Sequence, residues 1–364
     1  MTPADTDALI WTGSYTADSG GCGTGIGAVS ASADGTVAWL GTAVETDSPS
    51  FLAVHPTLPL VYAVGERAQT VQAFRRTGRF GLEPFREAWP AGEAACHVAV
   101  DPGGRFLVVA CWGDGQVILS ELHNDGGIAT RFTAAPSIDP YARAPYEGEG
   151  STHDSEKPDA GRPSRAHASL VLSDGRVITT DLGHDLLRVW SYVPGTGLVP
   201  DHEVILPEGS GPRHLVQHPG GSVFVVSEYS IEVFVVRPSS ETGKFAVTSQ
   251  GPATFGGALP DDAAAEIALS PDGRHVYAGV RGSNRISVLT VEDAGAQLRP
   301  LADIPSGGDW PRHHLVRDRW LHVAHERSGD VTTFALDPAS GLPVGAAGPD
   351  RLVSGSPTAL VLAR

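Results

Sequence analysis

Apolar and polar positions alternate in short runs along this chain, separated by Pro, Asp and Gly. The spacing of a buried helix face is found nowhere in it. The segment GSGPRHLVQHPGGSVFVVSEYS, from Gly209 to Ser230, shows the unit: an apolar strand, a Pro-Gly-Gly turn, then Val-Phe-Val-Val. A hairpin centred near Gly220 sets Arg213 across from Ser227 and Glu228. A cation and a carboxylate therefore share one open end. Taken alone, they read as a solvated ion pair.

The same grammar recurs in SPSFLAVHPTLPLVYAVGE, ACHVAVDPGGRFLVVACWGDGQVILSEL, RAHASLVLSDGRVITTDLGHDLLRVWSY, AEIALSPDGRHVYAGVRGSNRISVLTV and PRHHLVRDRWLHVAHERSGDVTTFAL. Each copy adds a short polar turn and a third alternating strand, and a fourth edge strand is expected to follow. Positions equivalent to Arg213 are Ser50, Cys96, His167, Ala265, Arg312 and Thr358, at intervals of 46, 71, 46, 52, 47 and 46 residues. Seven copies at this period predict an all-β chain: a seven-bladed β-propeller of four-stranded antiparallel blades. The last copy, SPTALVLAR, holds one strand, and the segments ALIWTGSYT, GIGAVSAS and VAWLGTAVE at the other end supply three. The two ends are expected to complete one blade, making residues 1–364 a single domain. The one long interval marks an insertion at about 133–164, rich in Pro, Gly, Ser and acids. It reads as a loop, either a surface excursion or a cover over one face. Its His153, Asp154 and Glu156 have no partner spacing elsewhere, so no metal site is predicted.

If each first strand lines the central channel, the markers converge at one mouth, and the second strands return Glu66, Trp112, Asp181, Glu228, Arg281 and Glu326 to it. Three arginines, a histidine and several carboxylates around one cavity suit a small anionic or polyhydroxylated ligand. Hairpin geometry sets His167 nearly opposite Asp181, so a bonded rim pair is the structural alternative. His214, His275 and His322 read as strand-internal and structural, His314 as a strand-end decoration, and Cys96 as a packed thiol.

The chain carries 42 acidic and 26 basic residues, a formal net charge of −16, which sets it against nucleic acid and anionic membrane surfaces. Its three cysteines form no metal or redox spacing and suit a reducing cytoplasm. Neither a signal peptide nor a membrane-length apolar stretch is found.

At these residues the chain resembles the lactonase family of seven-bladed propellers, which includes propeller-type 6-phosphogluconolactonases and 3-carboxy-cis,cis-muconate lactonising enzymes. SFLAVHP with YAVGE, HVAVDPGGRFLVVA, SRAH, GPRHLVQHP with VVSE, AEIALSPDGRHVY and VRGSN match its blade signatures in order. The resemblance implies a catalytic set of His167, Arg213, Glu228 and Arg281. Glu66, Trp112, Arg165, Asp181, Arg312, His325 and Glu326 are expected to bind substrate around it, with no cofactor. Arg165 stands where the family has the first histidine of an HAH-like segment. Gly65, Cys111, Ser227, Val280 and His325 stand where Asn is common.

The expected activity is metal-independent hydrolysis of a small anionic lactone. His167 or Glu228 would handle the proton, and Arg213 and Arg281 the anion. Two alternatives remain open: a cycloisomerase that forms a lactone from an unsaturated dicarboxylate, or another acid-base enzyme on this fold, and a non-catalytic propeller scaffold.

Overall fold

The computed structural model describes residues 7–142, 161–344 and 351–363. They form seven antiparallel sheets and no α-helix, so no helix among them is long and apolar enough to cross a membrane. Each of six sheets follows chain order. In the first of these, Pro49–Val54, Leu60–Gly65, Thr70–Thr77 and Gly81–Pro90 lie side by side. The seventh combines the C-terminal strand Pro357–Leu362 with Ala8–Ser14, Gly25–Ala31 and Val37–Glu45. The chain ends therefore close the ring as expected. In the sixth blade the outer edge is split between two short strands, Pro343–Val344 and Leu352–Val353, both paired with Asp330–Leu336.

Alternation dictates the packing. One face of each blade meets the facing side of the next, and the fully buried Trp11, Tyr62, Phe74, Phe106, Trp190, Phe224, Phe234 and Tyr277 fill those seams. Two tyrosines repeat one device. The Tyr62 hydroxyl donates to Gly126 O at 2.7 Å and the Tyr277 hydroxyl to Gly341 O at 2.8 Å, each bonding an outer loop of the following blade. A buried tyrosine needs such a partner, and the repeat supplies it twice.

The seven innermost strands touch one another in a closed ring around the channel. Each breaks register at its repeat marker: between Pro49 and Phe51, Ala95 and His97, Ala166 and Ser169, Pro212 and His214, Ala264 and Ile267, Pro311 and His313, and across Thr358. A bulge carries an extra residue and re-aims side chains, so strict in-out alternation fails there. The marker and the residue after it can then face the same channel.

Of the insertion expected at about 133–164, residues 143–160 lie outside the described residues, His153, Asp154 and Glu156 among them. Its two ends are built into the third complete blade. Arg162 pairs with Asp139 at 2.6 Å and with Asp185, and Tyr141 donates to Leu206 O at 2.7 Å.

Candidate active site

Ser50, Cys96, His167, Arg213, Arg312 and Thr358, six of the seven markers, line one cavity in the channel together with Phe51, His214 and His313. The cavity is narrow, with room for about one water. Arg312 continues into a wider cleft of about 540 Å³ at the mouth, lined by Tyr15, Glu66, Glu93 and Glu326 among others. A volume of that size accommodates a small ligand.

Glu228 stands between two buried arginines. Its Oε1 lies 3.0 Å from Arg281 NH2 and its Oε2 2.8 Å from Arg213 Nε. Burial alone would raise its carboxyl pKa, but Arg281 and Arg213 outweigh that and hold it below the usual range. Arg281 also donates to Ala263 O and Ala264 O at 3.2 and 3.0 Å, which fixes its plane. Burial, and then Arg213, pull Arg281 down to about 10, still protonated at neutral pH. Arg213 is held less completely. Its Nε contact is off the N–H direction, and its buried NH1 has no hydrogen-bond partner. A buried guanidinium N–H without an acceptor is costly unless a ligand supplies one.

His167 is 7% exposed, and burial followed by the Arg213 charge push its pKa well below 6.5. It is a neutral imidazole at pH 7, with Nδ1 unpartnered. The alternative of a bonded pair with Asp181 does not form. Asp181 Oδ2 instead accepts from Ser137 and Ser164 at 2.6 and 2.5 Å, and Oδ1 accepts the backbone N–H groups of Arg165, Gly183 and His184. Those donors lie on the insertion ends and the following turn, so the carboxylate is used up away from the channel.

The remaining expected residues separate by environment. Arg312 donates to Glu326 at 2.9 Å and to the Tyr15 hydroxyl at 2.7 Å, and Tyr15 donates to Glu66 at 2.9 Å. These four form one network in the cleft wall. Burial would lower the Arg312 pKa, but Tyr15, Glu326 and Glu66 raise it beyond the usual value. Trp112 and Arg165 form a rim pair, the guanidinium 4.1 Å above the indole and NH1 donating to Gly113 O at 2.7 Å. His325 has no exposed surface. Its Nδ1 lies 3.0 Å from Asp330 Oδ1 without hydrogen-bond geometry, and neither ring nitrogen has a hydrogen-bond partner.

A model of the lactonase family, a seven-bladed β-propeller, matches residues 9–358. The chain belongs to this lactonase family. A 6-phosphogluconolactonase of Bacillus subtilis is 25% identical over 311 residues, 82% of this chain and 83% of that one. A solved protein of Lactobacillus plantarum superimposes with a TM-score of 0.82 at 22% identity, covering 98% of this chain and 99% of that one. A periplasmic gluconolactonase of Pseudomonas aeruginosa does so with 0.81 at 22% identity, covering 99% of each. At that identity the two structures establish the shared fold.

Within this lactonase-family propeller a second layer lies beside the markers, and the sequence pattern did not single it out. His214, read as strand-internal, lines the cavity, and its ring centroid is 5.3 Å from those of both His167 and His97. Glu266, the residue after the marker Ala265, places Oε2 2.7 Å from His214 Nδ1 and 3.4 Å from His313 Nε2. Phe51 packs against His97, His214 and His313 at 4.2, 5.6 and 5.6 Å between centroids. The signal that could have revealed this layer is the bulge, which recurs at one position in every copy. His314, expected at a strand end, is buried against Tyr277 O at 3.1 Å. Cys96 is a packed thiol whose Sγ lies 3.4 Å from His167 O, and burial pushes its pKa far up.

Proposed function

We propose that this protein hydrolyses a small anionic lactone at the channel mouth. The observation that carries the reading is Arg213, a buried cationic side chain whose NH1 has no acceptor, at a cavity shared with neutral histidines. Hydrolysis of a lactone places negative charge on the carbonyl oxygen in the transition state. A preorganised guanidinium N–H in a water-poor site stabilises that charge strongly. Two neutral imidazoles, His167 and His214, face the same cavity, and either can accept the proton of the attacking water.

The charge distribution supports the substrate class. Arg213 and Arg281 share Glu228, and the NH1 face of Arg213 remains without an acceptor. It suits a lactone bearing a carboxylate or phosphate. The opposite wall, with Glu66, Glu93, Glu326 and Tyr15, suits hydroxyl groups that donate hydrogen bonds. Among the described residues no three His, Cys, Asp or Glu side chains are grouped as a metal site. The net charge of −16 disfavours nucleic acid. Three free thiols fit a reducing cytoplasm, where we place the protein.

The test is a pH-indicator assay against a panel of lactones that includes 6-phosphogluconolactone. Turnover by the native protein, lost in Arg213→Ala while the circular dichroism is unchanged, is the expected result. No turnover of any lactone rejects the reading for those substrates, and muconate-type diacids are then the next panel.

A further inference from the structure

We infer that Glu266 is a positioning residue for His214, and that His214 rather than His167 accepts the proton of the attacking water. The inference rests on the lactonase reading above. It starts from the bulge at Ala264–Ile267, which turns Glu266 into the channel although a regular strand would not. There the carboxylate meets two imidazoles. His313 accepts the Leu360 backbone N–H on Nδ1 at 3.3 Å, so its hydrogen is on Nε2, the atom facing Glu266. Glu266 Oε2 lies 2.7 Å from His214 Nδ1, off the line of the ring N–H. A carboxylate beside Nδ1 favours the Nδ1–H tautomer and leaves the lone pair on Nε2, the arrangement a general base needs.

His167 has no such carboxylate against its ring: its Nδ1 is buried with nothing bonded to it. The groups acting on His214 are Arg213 on its own strand, Arg312, His313 and His314 on Pro311–Arg317, Glu228, Glu266, and the rings of His167 and His97. Phe51 closes the remaining side.

In the step assigned to this pair, water oxygen bonds to the lactone carbonyl carbon while one water proton passes to His214 Nε2. The carbonyl π pair moves onto oxygen, where Arg213 holds it. Its return breaks the ring C–O bond, and the proton on His214 passes to the departing alkoxide. The product is the open-chain hydroxy acid, which loses its carboxyl proton to solvent. Lactone and water account for every atom.

The experiment compares Glu266→Gln, Glu266→Asp and His167→Asn with the native protein by steady-state kinetics, and reads the His214 tautomer by ¹⁵N NMR of histidine-labelled protein. Glu266→Gln is expected to lower kcat on the order of a hundredfold or more, with KM within about twofold. Its acid limb should move to lower pH, because the carboxylate charge that favours an imidazolium is gone. Glu266→Asp should recover part of the rate, and His167→Asn should lose less than about tenfold. A His167→Asn protein without turnover, beside a Glu266→Gln protein of near-native kcat, overturns the assignment. Should the native protein hydrolyse no lactone, the lactonase reading and the proton-accepting role fall together, and the NMR spectra decide positioning separately. An Nδ1–H tautomer of His214 present in the native protein and lost in Glu266→Gln supports it; a tautomer indifferent to Glu266 overturns it.

Discussion

Arg213 and Arg281 are joined through one carboxylate: Glu228 Oε2 lies 2.8 Å from Arg213 Nε and Oε1 lies 3.0 Å from Arg281 NH2. Neither guanidinium sheds its proton at neutral pH, so the pair depends chiefly on Glu228 for neutralisation, with Glu266 acting on Arg213 from further off. Glu228→Gln keeps the shape and removes the charge. It is expected to cost about 3 kcal/mol in urea unfolding, because two buried cations lose the carboxylate between them. The same variant should bind sulfate more tightly than the native protein, seen as a larger rise in Tm with added sulfate. A variant with native stability and no added response to sulfate would show that the two arginines are neutralised elsewhere.

Acid should weaken the fold in two windows. Burial is the main cause that depresses His97, His167, His214 and His313, the last to about 4. A histidine whose folded pKa lies below its unfolded 6.5 binds protons preferentially when unfolded, so stability falls as pH drops from 6.5 toward 4. Glu228, also depressed, acts below that range: its contribution is present above the unfolded carboxylate value and is lost as pH falls through the folded one. His313→Gln should make the loss of unfolding free energy between pH 7 and pH 5 smaller by about 2 kcal/mol. Equal slopes for the two proteins would place His313 in water.

The fold was legible because hairpin grammar repeats at a nearly constant interval, and the marker residue of each copy proved to be the bulged one. The candidate site was legible only where a marker or a strand end carries its charge directly, as with Arg213, Glu228, Arg281 and Arg312. Glu266 and His214 were missed because alternation assigns residues after a marker to the other face, and a bulge cancels that rule. Tyr15 was missed for another reason. It follows the strand Ala8–Ser14 of the closing blade, whose marker Thr358 lies at the other end of the chain, so no hairpin in the sequence joins the two. Asp181 and His325 sit at the expected strand ends, but backbone N–H groups claim the first, and the second is fully buried beside Asp330.

The three thiols should differ sharply in reactivity. Cys22 is exposed, whereas Cys96 and Cys111 are buried, and burial raises the pKa of Cys111 to about 12 and that of Cys96 further. Thiolate is the reactive form, so a disulfide reagent at pH 8 should titrate one thiol in the native protein and three after denaturation. Rapid loss of a second thiol under native conditions would mean that the structure opens around Cys96 or Cys111.

Asp185 connects the insertion to the strand that carries Arg213. It accepts the backbone N–H groups of Gly209 and Gly211 at 2.9 and 2.7 Å and the Ser210 hydroxyl at 3.2 Å, just before Pro212–Gln217, and it pairs with Arg162 from the insertion end. Arg162 is about a third exposed, so Arg162→Ala removes a screened charge and leaves Asp185 its other donors. Its cost should be about 1 kcal/mol, with faster amide exchange over residues 136–142 and kcat close to native. Asp185→Ala strands two backbone donors beside the buried carboxylate's place. A loss of about 3 kcal/mol is expected, together with a lower kcat, because the turn that sets Arg213 loses its fixed acceptor. If both variants change kcat equally, the insertion end itself acts on the site, and the coupling does not run through the loop at Gly209–Gly211.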